Sequence, residues 1–213
     1  MKLLSDFLKY ELSTDPAAFL HTFSRYEELL LTWNKKINLI SRDLRTIEDL
    51  ILNSIFFLKE YKINTGAHIA DIGTGGGFPG IPLKILYPDL TLNLIDSVGK
   101  KTMVLDDIIK NMNLQNTAAI NSRAEELSLK QEHKGKYDIV ISKSVAPLDK
   151  LFLWSKNFIN PGGEIICIKG GGLEVEIAGL IRLMKGHKMR IIDFNFDNKY
   201  NIEGKKLVVI KKL

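Results

Sequence analysis

The sequence predicts an α/β protein with a doubly wound, mostly parallel seven-stranded sheet and a helical extension at the N-terminus. Two observations support this prediction. Apolar residues recur at helical spacing up to about residue 65, whereas short apolar runs alternate with helical stretches from residue 66 onward. Strands separated by connections of that length are typical of parallel βαβ units. We therefore divide the chain into an extension over residues 1–65, packed on the core, and a ligand-binding domain over residues 66–213.

Two helices account for most of the extension. The first is predicted to begin at Asp15-Pro16, a capping residue followed by proline at the first helical position. Its inward stripe is predicted to be core: Phe19, Phe23, Tyr26, Leu30 and Trp33. The second helix is predicted to begin at Thr46, because Asp49 three residues later resembles a capping box. Its inward face carries Ile47, Leu50, Ile51, Ser54, Ile55 and Leu58.

The ligand-binding domain contains seven strand-like runs. Five belong to the alternating part of the chain: AHIADIG, TLNLID, TAAINS, YDIVIS and EIICIK. A turn is predicted at NPGG before the fifth strand, and only a short connector is predicted after the third. The last two runs, HKMRIIDFNF and KKLVVIKK, are joined by a polar segment and predict a terminal hairpin-like pair with an antiparallel strand.

Composition narrows the class of protein. The 213 residues are 45% hydrophobic and 26% charged, which is ordinary for one globular domain. A single cysteine, Cys167 in an apolar run, excludes an intramolecular disulfide and predicts a buried, reduced thiol in the cytoplasm. Asp6 and Lys9 interrupt the N-terminal apolar residues, so neither a signal peptide nor a membrane span is expected. Residues 182–213 hold nine basic and three acidic side chains, either a solvated face or a surface for a polyanion.

The stretch DIGTGGGFPG, which begins at Asp71, indicates a ligand held against bare backbone. Its glycines can be read as a dinucleotide fingerprint, Gly75-x-Gly77-x-x-Gly80, followed by an acid twenty-one residues after Gly75. That match is weak, because a carboxylate at Asp71 would repel a pyrophosphate. A cationic ligand such as S-adenosylmethionine suits Asp71 better, with Gly73, Gly75 and Gly77 allowing close approach. Asp71 can also be read simply as a loop cap.

Further polar residues follow the other strands, where doubly wound sheets bind ligands. Asp96 ends the second strand and can accept hydrogen bonds from ribose hydroxyls. Ala124 and Glu125 follow the third strand and offer the donor and the acceptor that an adenine edge requires, although the glutamate can instead stabilise a helix start. Lys143 lies after the fourth strand, at the mouth of the same crevice. The four histidines are scattered without metal-ligand spacing, and we predict no metal site.

The combination of motifs resembles a known family. WNKKINLIS, DIGTGGGFPGIPLKI, DSVGKK, RAEEL and SVAPL resemble, in order and spacing, the bacterial guanine-N7 methyltransferases of small-subunit (16S) ribosomal RNA, the RsmG or GidB family. The resemblance runs nearly end to end. It implies a class I, Rossmann-like methyltransferase domain over residues 66–213 with S-adenosylmethionine as cofactor. It further implies donor contacts from Gly73, Phe78, Ala124, Glu125 and the residue at position 143.

Position 143 departs from the family pattern. Where the family usually has arginine this sequence has Lys143, a mobile point charge in place of a planar fork of donors. The implied reaction itself needs no general base, because guanine N7 has an in-plane lone pair and no proton. We therefore predict no catalytic acid or base in this sequence.

The implied partner is 16S ribosomal RNA, free or in the 30S particle, with no membrane contact and a monomeric state. Candidate contacts to phosphates are basic residues near the predicted crevice, together with two from the basic C-terminal segment: Lys35, Lys36, Arg42, Lys100, Lys101, Arg123, Lys205 and Lys206. Such residues position RNA but do not select a base. Two other readings stay open from the sequence, an NAD(P)-dependent oxidoreductase and an RNA-binding protein without catalysis.

Overall fold

The structure, a computed structural model, describes all residues 1–213. Eight α-helices occur in chain order: α1 Lys2–Tyr10, α2 Ala17–Asn34, α3 Glu48–Ile55, α4 Gly80–Leu86, α5 Gly99–Asn111, α6 Ala124–Leu127, α7 Leu148–Ser155 and α8 Glu174–Ile181. Short 3-10 helices lie at Phe56–Lys59 and Asn198–Tyr200. The strands are β1 His68–Ile72, β2 Thr91–Asp96, β3 Thr117–Asn121, β4 Tyr137–Lys143, β5 Ile159–Gly170, β6 His187–Asp193 and β7 Lys205–Lys212. No helix is both long and apolar enough to cross a membrane.

The seven strands form one sheet in the order β3-β2-β1-β4-β5-β7-β6. Strands β1 to β5 are parallel, and β7 inserts antiparallel between β5 and β6, for example with Cys167 opposite Val208. The predicted α/β class, the mostly parallel sheet and the antiparallel terminal pair are therefore confirmed. The chain order reverses between β1 and β4, so the crevice of a doubly wound sheet lies at the carboxyl ends of these two strands.

Alternation along the strands separates two hydrophobic cores, one on each face of the sheet. In β1, Ile69 belongs to a cluster of 36 buried residues and its neighbour Ala70 to a second cluster of 18. Cys167 lies in the second cluster, fully buried as predicted, and burial raises the pKa of its thiol to about 12.

The helices before residue 65 pack into the larger cluster. Phe7 of α1 contacts the ring of Tyr200 edge-on, with 5.2 Å between ring centroids, and lies 5.6 Å from the ring of Phe196. Asp15 accepts a hydrogen bond from the backbone N–H of Ala17, as expected for the cap of α2. The proposed division into two domains near residue 65 stays a prediction.

Four local features differ from the sequence prediction. Helix α3 begins at Glu48, two residues after the predicted start, and the Thr46 hydroxyl caps it by accepting from the Glu48 N–H at 3.2 Å. Glu27 of α2 takes the place expected for Asp49 by accepting hydrogen bonds from the Thr46 hydroxyl and the Ile47 N–H. The segment NPGG lies inside β5, where the pairing with β4 shifts register. The connector after β3 contains helix α6, with Glu125 in its first turn, as the alternative reading of this residue predicts. Helix α8, between β5 and β6, was missed.

Candidate active site at the carboxyl ends of the strands

The glycine loop, residues 73–79, connects β1 to α4 and adopts a conformation that few residues other than glycine accept. Gly73, Gly75 and Gly77 have φ values of +67°, +57° and +101°. The N–H of Gly73 donates to the carbonyl of Ile95 at 2.8 Å, which ties the start of the loop to β2. Tyr26 of α2 donates from its buried hydroxyl to the carbonyl of Gly76 at 2.6 Å. The loop is therefore fixed from both the sheet and the helical extension.

Asp71 lies beneath this loop. It is fully buried, and its Oδ2 accepts hydrogen bonds from the Thr74 hydroxyl at 2.7 Å and from the N–H of Gly80 at 2.8 Å. Burial raises the pKa of its carboxyl to about 7, against the opposing effects of these hydrogen bonds and of nearby Lys143. Its Oδ1 has no partner. The contacts make Asp71 a loop anchor, and its predicted contact with a ligand ammonium stays a prediction.

A cavity of about 410 Å³ opens beside the glycine loop, and we call it the donor cavity. Asp96, at the end of β2, lies in its wall with both carboxylate oxygens directed by backbone donors. Oδ2 accepts from the N–H of Gly75 at 3.0 Å, and Oδ1 accepts from the N–H of Val98 at 2.9 Å. Each oxygen keeps a lone pair for a ligand hydroxyl. The other lining residues are Ile72, Gly73, Ile95, Ser97, Val98, Lys101, Ser122, Arg123, Ala124, Glu125, Lys143, Ser144, Val145 and Trp154.

A second cavity of about 250 Å³ lies between the glycine loop and the extension, and we call it the acceptor cavity. Its wall combines loop residues with mostly apolar side chains of the extension, two hydroxyl side chains and one lysine: Leu39, Ile40, Ser41, Leu44, Leu50, Gly73, Thr74, Gly75, Gly76, Phe78 and Lys143. The lining contains no carboxylate and no imidazole. Gly73 and Lys143 line both cavities, so these two residues mark the boundary between them.

Lys143 is the last residue of β4. Its Nζ lies 5.7 Å from the centroid of the Phe78 ring, in cation–π geometry. Burial lowers the pKa of Lys143, Asp71 opposes this shift, and the like charge of Lys205 adds to it. The predicted residues around the site thus divide into two groups. Asp96, Ala124 and Glu125 line the donor cavity, whereas Gly75 and Phe78 line the acceptor cavity and Gly77 lines neither.

The predicted RNA-contacting residues lie in different surroundings. Lys35 and Arg42 line a further cavity of about 520 Å³, the basic cavity, together with Arg45, which sequence reasoning missed. Lys101 and Arg123 line the donor cavity. Of the other predicted residues, Lys36 lies over the ring of Trp33 and Lys100 is exposed on α5. Lys205 lies near Lys143, and Lys206 pairs with Asp193 at 2.8 Å.

The donor cavity fits S-adenosylmethionine. Asp96 presents acceptors for ribose hydroxyls, and Glu125 presents a carboxylate at the cavity wall. Gly73 leaves free the space that a side chain would take, because a Cβ there would lie 2.7 Å from both methyl groups of Val145. The strand order, the glycine loop and this cavity define an S-adenosylmethionine-dependent methyltransferase with a Rossmann-like fold.

Comparison with known proteins identifies the family. The chain belongs to the GidB family, rRNA small subunit methyltransferase G, whose model matches residues 20–201. It is 41% identical to ribosomal RNA small subunit methyltransferase G of Pelodictyon phaeoclathratiforme, over 79% of this chain and 73% of that protein. The enzyme of the same name from Desulforamulus reducens is 37% identical over 90% of this chain and 81% of that protein. The resemblance inferred from the motifs is confirmed, and the oxidoreductase reading is wrong.

Solved structures support the fold alone. A methyltransferase dependent on S-adenosylmethionine from Aquifex aeolicus superposes with a TM-score of 0.56 at 18% identity, covering 82% of this chain and 96% of that chain. A tRNA methyltransferase from the same organism gives a TM-score of 0.57 at 13% identity, covering 88% of this chain and 76% of that chain.

Proposed function

We propose that this protein methylates N7 of one guanine in small-subunit (16S) ribosomal RNA, presented as free RNA or in the 30S particle. The supporting observation is the lining of the acceptor cavity, whose polar groups are one lysine, the hydroxyls of Ser41 and Thr74 and backbone, with neither a carboxylate nor an imidazole. Methylation of a ring or exocyclic nitrogen that carries a proton requires a group to accept that proton. N7 has a free lone pair, so a cavity that aligns it is sufficient.

S-adenosylmethionine, when bound, supplies an electrophilic methyl group. Within the chain, we assign Asp96 to the ribose hydroxyls, and Ala124 and Glu125 to the adenine edge. Gly73, Gly75 and Gly77 hold a conformation that keeps side chains out of the crevice, while Asp71 fixes that loop from below. Phe78 and Lys143 complete the boundary with the acceptor cavity.

For the RNA backbone we propose contacts with Lys35 and Arg42 in the basic cavity, reinforced by Arg45. None of these three side chains forms a salt bridge in the protein, so their charges are available to phosphates. Leu44 lines both the basic cavity and the acceptor cavity, which brings the phosphate contacts next to the base. The remaining proposed contacts are Lys36, Lys100, Lys101, Arg123, Lys205 and Lys206.

The test is transfer of labelled methyl from S-adenosylmethionine to 30S subunits lacking the modification, with free 16S RNA in parallel. We expect the label on N7 of a single guanine. Asp96→Ala should lose binding of S-adenosylmethionine and methyl transfer together, because it removes both carboxylate oxygens assigned to the ribose hydroxyls. Asp89→Ala is the matched control, since Asp89 also accepts a backbone N–H, from Gly66, but is exposed and lines neither cavity. Label on another atom, or no transfer to either RNA despite donor binding, would reject the proposal.

A further inference from the structure

The acceptor cavity must distinguish guanine from the other bases, and its lining offers few groups able to do so. Apolar side chains from the extension and glycine backbone form most of the wall. At about 250 Å³ the cavity is smaller than the 300–1,000 Å³ typical of sites for drug-sized ligands, and this suits one flipped base. Lys143 is the one charged side chain in the lining.

The position of Lys143 restricts which edge of a base it can meet. Because Lys143 and Gly73 line both cavities, a base that directs N7 toward the donor cavity directs its N7 edge toward these two residues. On that edge guanine carries two acceptors, N7 and O6, whereas adenine carries N7 beside an amino group that donates. A lysine ammonium has three donors and no acceptor, so it matches O6 and opposes the adenine amine.

The surroundings of Lys143 hold its ammonium in this region. Phe78, which also lines the acceptor cavity, presents its ring 5.7 Å from Nζ. Burial lowers the pKa of Lys143, and the buried Asp71 carboxyl opposes this shift and so favours the charged form of the lysine. Both partners are fixed in turn, Asp71 by Thr74 and Gly80, and Phe78 by the ring of Tyr26 at 5.5 Å.

From this arrangement we propose that Lys143 selects guanine, by donating a hydrogen bond from its ammonium to O6 of the base in the acceptor cavity. This depends on the proposed N7 methylation and adds a residue that determines base specificity. In this chain, the lysine at position 143 makes a single charge-assisted contact, in place of the two parallel bonds that a guanidinium could offer.

The test compares target nucleosides within otherwise identical RNA, in 30S subunits reconstituted from ligated 16S RNA. Guanosine and inosine both keep O6 and N7, whereas 2,6-diaminopurine riboside keeps N7 and replaces O6 by an amine. We expect the wild-type enzyme to methylate guanosine and inosine at similar kcat/KM and the diaminopurine about ten- to a hundred-fold less well, the range for one hydrogen bond to a charged group.

Variants at position 143 make the inference specific. Lys143→Gln carries an amide that both donates and accepts, so the ratio of guanosine to diaminopurine rates should fall toward one. Lys143→Arg keeps donors only and should keep the ratio. Lys150→Gln is the matched control, because Lys150 is exposed on α7 and lines neither cavity. Each ratio is taken with one enzyme at one donor concentration, so a loss of donor affinity cancels.

An unchanged ratio in Lys143→Gln, or no discrimination by the wild-type enzyme, would overturn the assignment of Lys143. Either outcome with label still on guanine N7 leaves the proposed function intact. Label on the exocyclic amine, together with an inactive inosine substrate, would instead reject N7 methylation itself.

Discussion

Replacing Gly73 by alanine tests whether the bare glycine loop and the loop after β4 fit together as the structure describes. Gly73 has φ +67°, and a Cβ there would lie 2.7 Å from both Cγ atoms of Val145, two residues after the end of β4. The left-handed conformation costs a non-glycine residue about 1–2 kcal/mol. Overpacking adds about 1–3 kcal/mol. We therefore expect the free energy of unfolding to fall by about 2–5 kcal/mol.

Gly75→Ala is the matched control. Gly75 has φ +57°, and its added Cβ would meet nothing closer than the Gly73 carbonyl oxygen at 4.0 Å. Only the conformational cost applies, so the expected loss is about 1–2 kcal/mol. Val145→Ala alone should cost little, because Val145 is 36% exposed. In Gly73→Ala combined with Val145→Ala the two closest contacts disappear, and part of the loss should be recovered.

Urea denaturation of the wild type, the two single variants and the double variant gives the coupling energy between positions 73 and 145. Titration with S-adenosylhomocysteine should show weaker binding in Gly73→Ala, since Ser144 and Val145 line the donor cavity and must shift. The reasoning fails if Gly73→Ala is no more destabilised than Gly75→Ala, or if the cycle shows no coupling.

Three shorter predictions concern the supports of the site. Asp71→Asn should remove a pH dependence of stability, because the pKa of the Asp71 carboxyl is about 7 in the folded protein and 3.8 in the unfolded chain. As pH rises between these values the unfolded chain loses this proton first, so the stability of the wild type relative to the variant should fall, by up to about 4 kcal/mol in urea denaturation. A stability difference between wild type and variant that does not change with pH would contradict the raised pKa of the buried Asp71 carboxyl. Tyr26→Phe leaves the Gly76 carbonyl without its hydrogen-bond donor and should lower the free energy of unfolding by about 1–3 kcal/mol. S-adenosylhomocysteine should also bind more weakly by calorimetry, whereas unchanged stability and affinity would mean that the loop is held without Tyr26. Lys169→Met removes a hydrogen bond to the Ala146 carbonyl and an ion pair of 2.6 Å with Glu176, which itself accepts from the Leu148 N–H. The variant should lose about 1–3 kcal/mol of stability and bind S-adenosylhomocysteine more weakly. A loss of stability without a loss of affinity would mean that this network does not support the site.

Strand pattern and loop spacing predicted much of the fold and of the donor cavity. Carboxyl ends of parallel strands meet at one edge, so Asp96 and Glu125, twenty-nine residues apart in sequence, are expected in one crevice, and both line it. The NPGG prediction was wrong because glycine and proline also occur at a register shift inside a paired strand, and only the pairing with β4 separates the two cases. The ion pair of Lys206 could not be predicted for the same reason, because only the β6–β7 register places Asp193 opposite it.

Side-chain direction was the information that sequence lacked at the site. Asp71 turns Oδ2 under the loop toward Thr74 and Gly80, which no spacing rule distinguishes from a carboxylate facing a ligand. Tyr26 lies on an ordinary apolar helical stripe, and nothing local marks its hydroxyl as the donor to Gly76.

Under the proposed function, the acceptor cavity gives the extension a role in the activity. Leu39, Ile40 and Leu44 form one wall, the glycine loop forms the other, and Tyr26 joins the two parts through its hydrogen bond to Gly76. None of these extension residues carries a reactive group, so no catalytic pattern marks them in the sequence. In a reaction that requires alignment and no proton transfer, the catalytic contribution of the protein lies in shape. Under the proposed function we therefore expect apolar residues that define the position of a base to affect the rate as directly as those that bind the methyl donor, with the extension and the sheet domain together forming the active site.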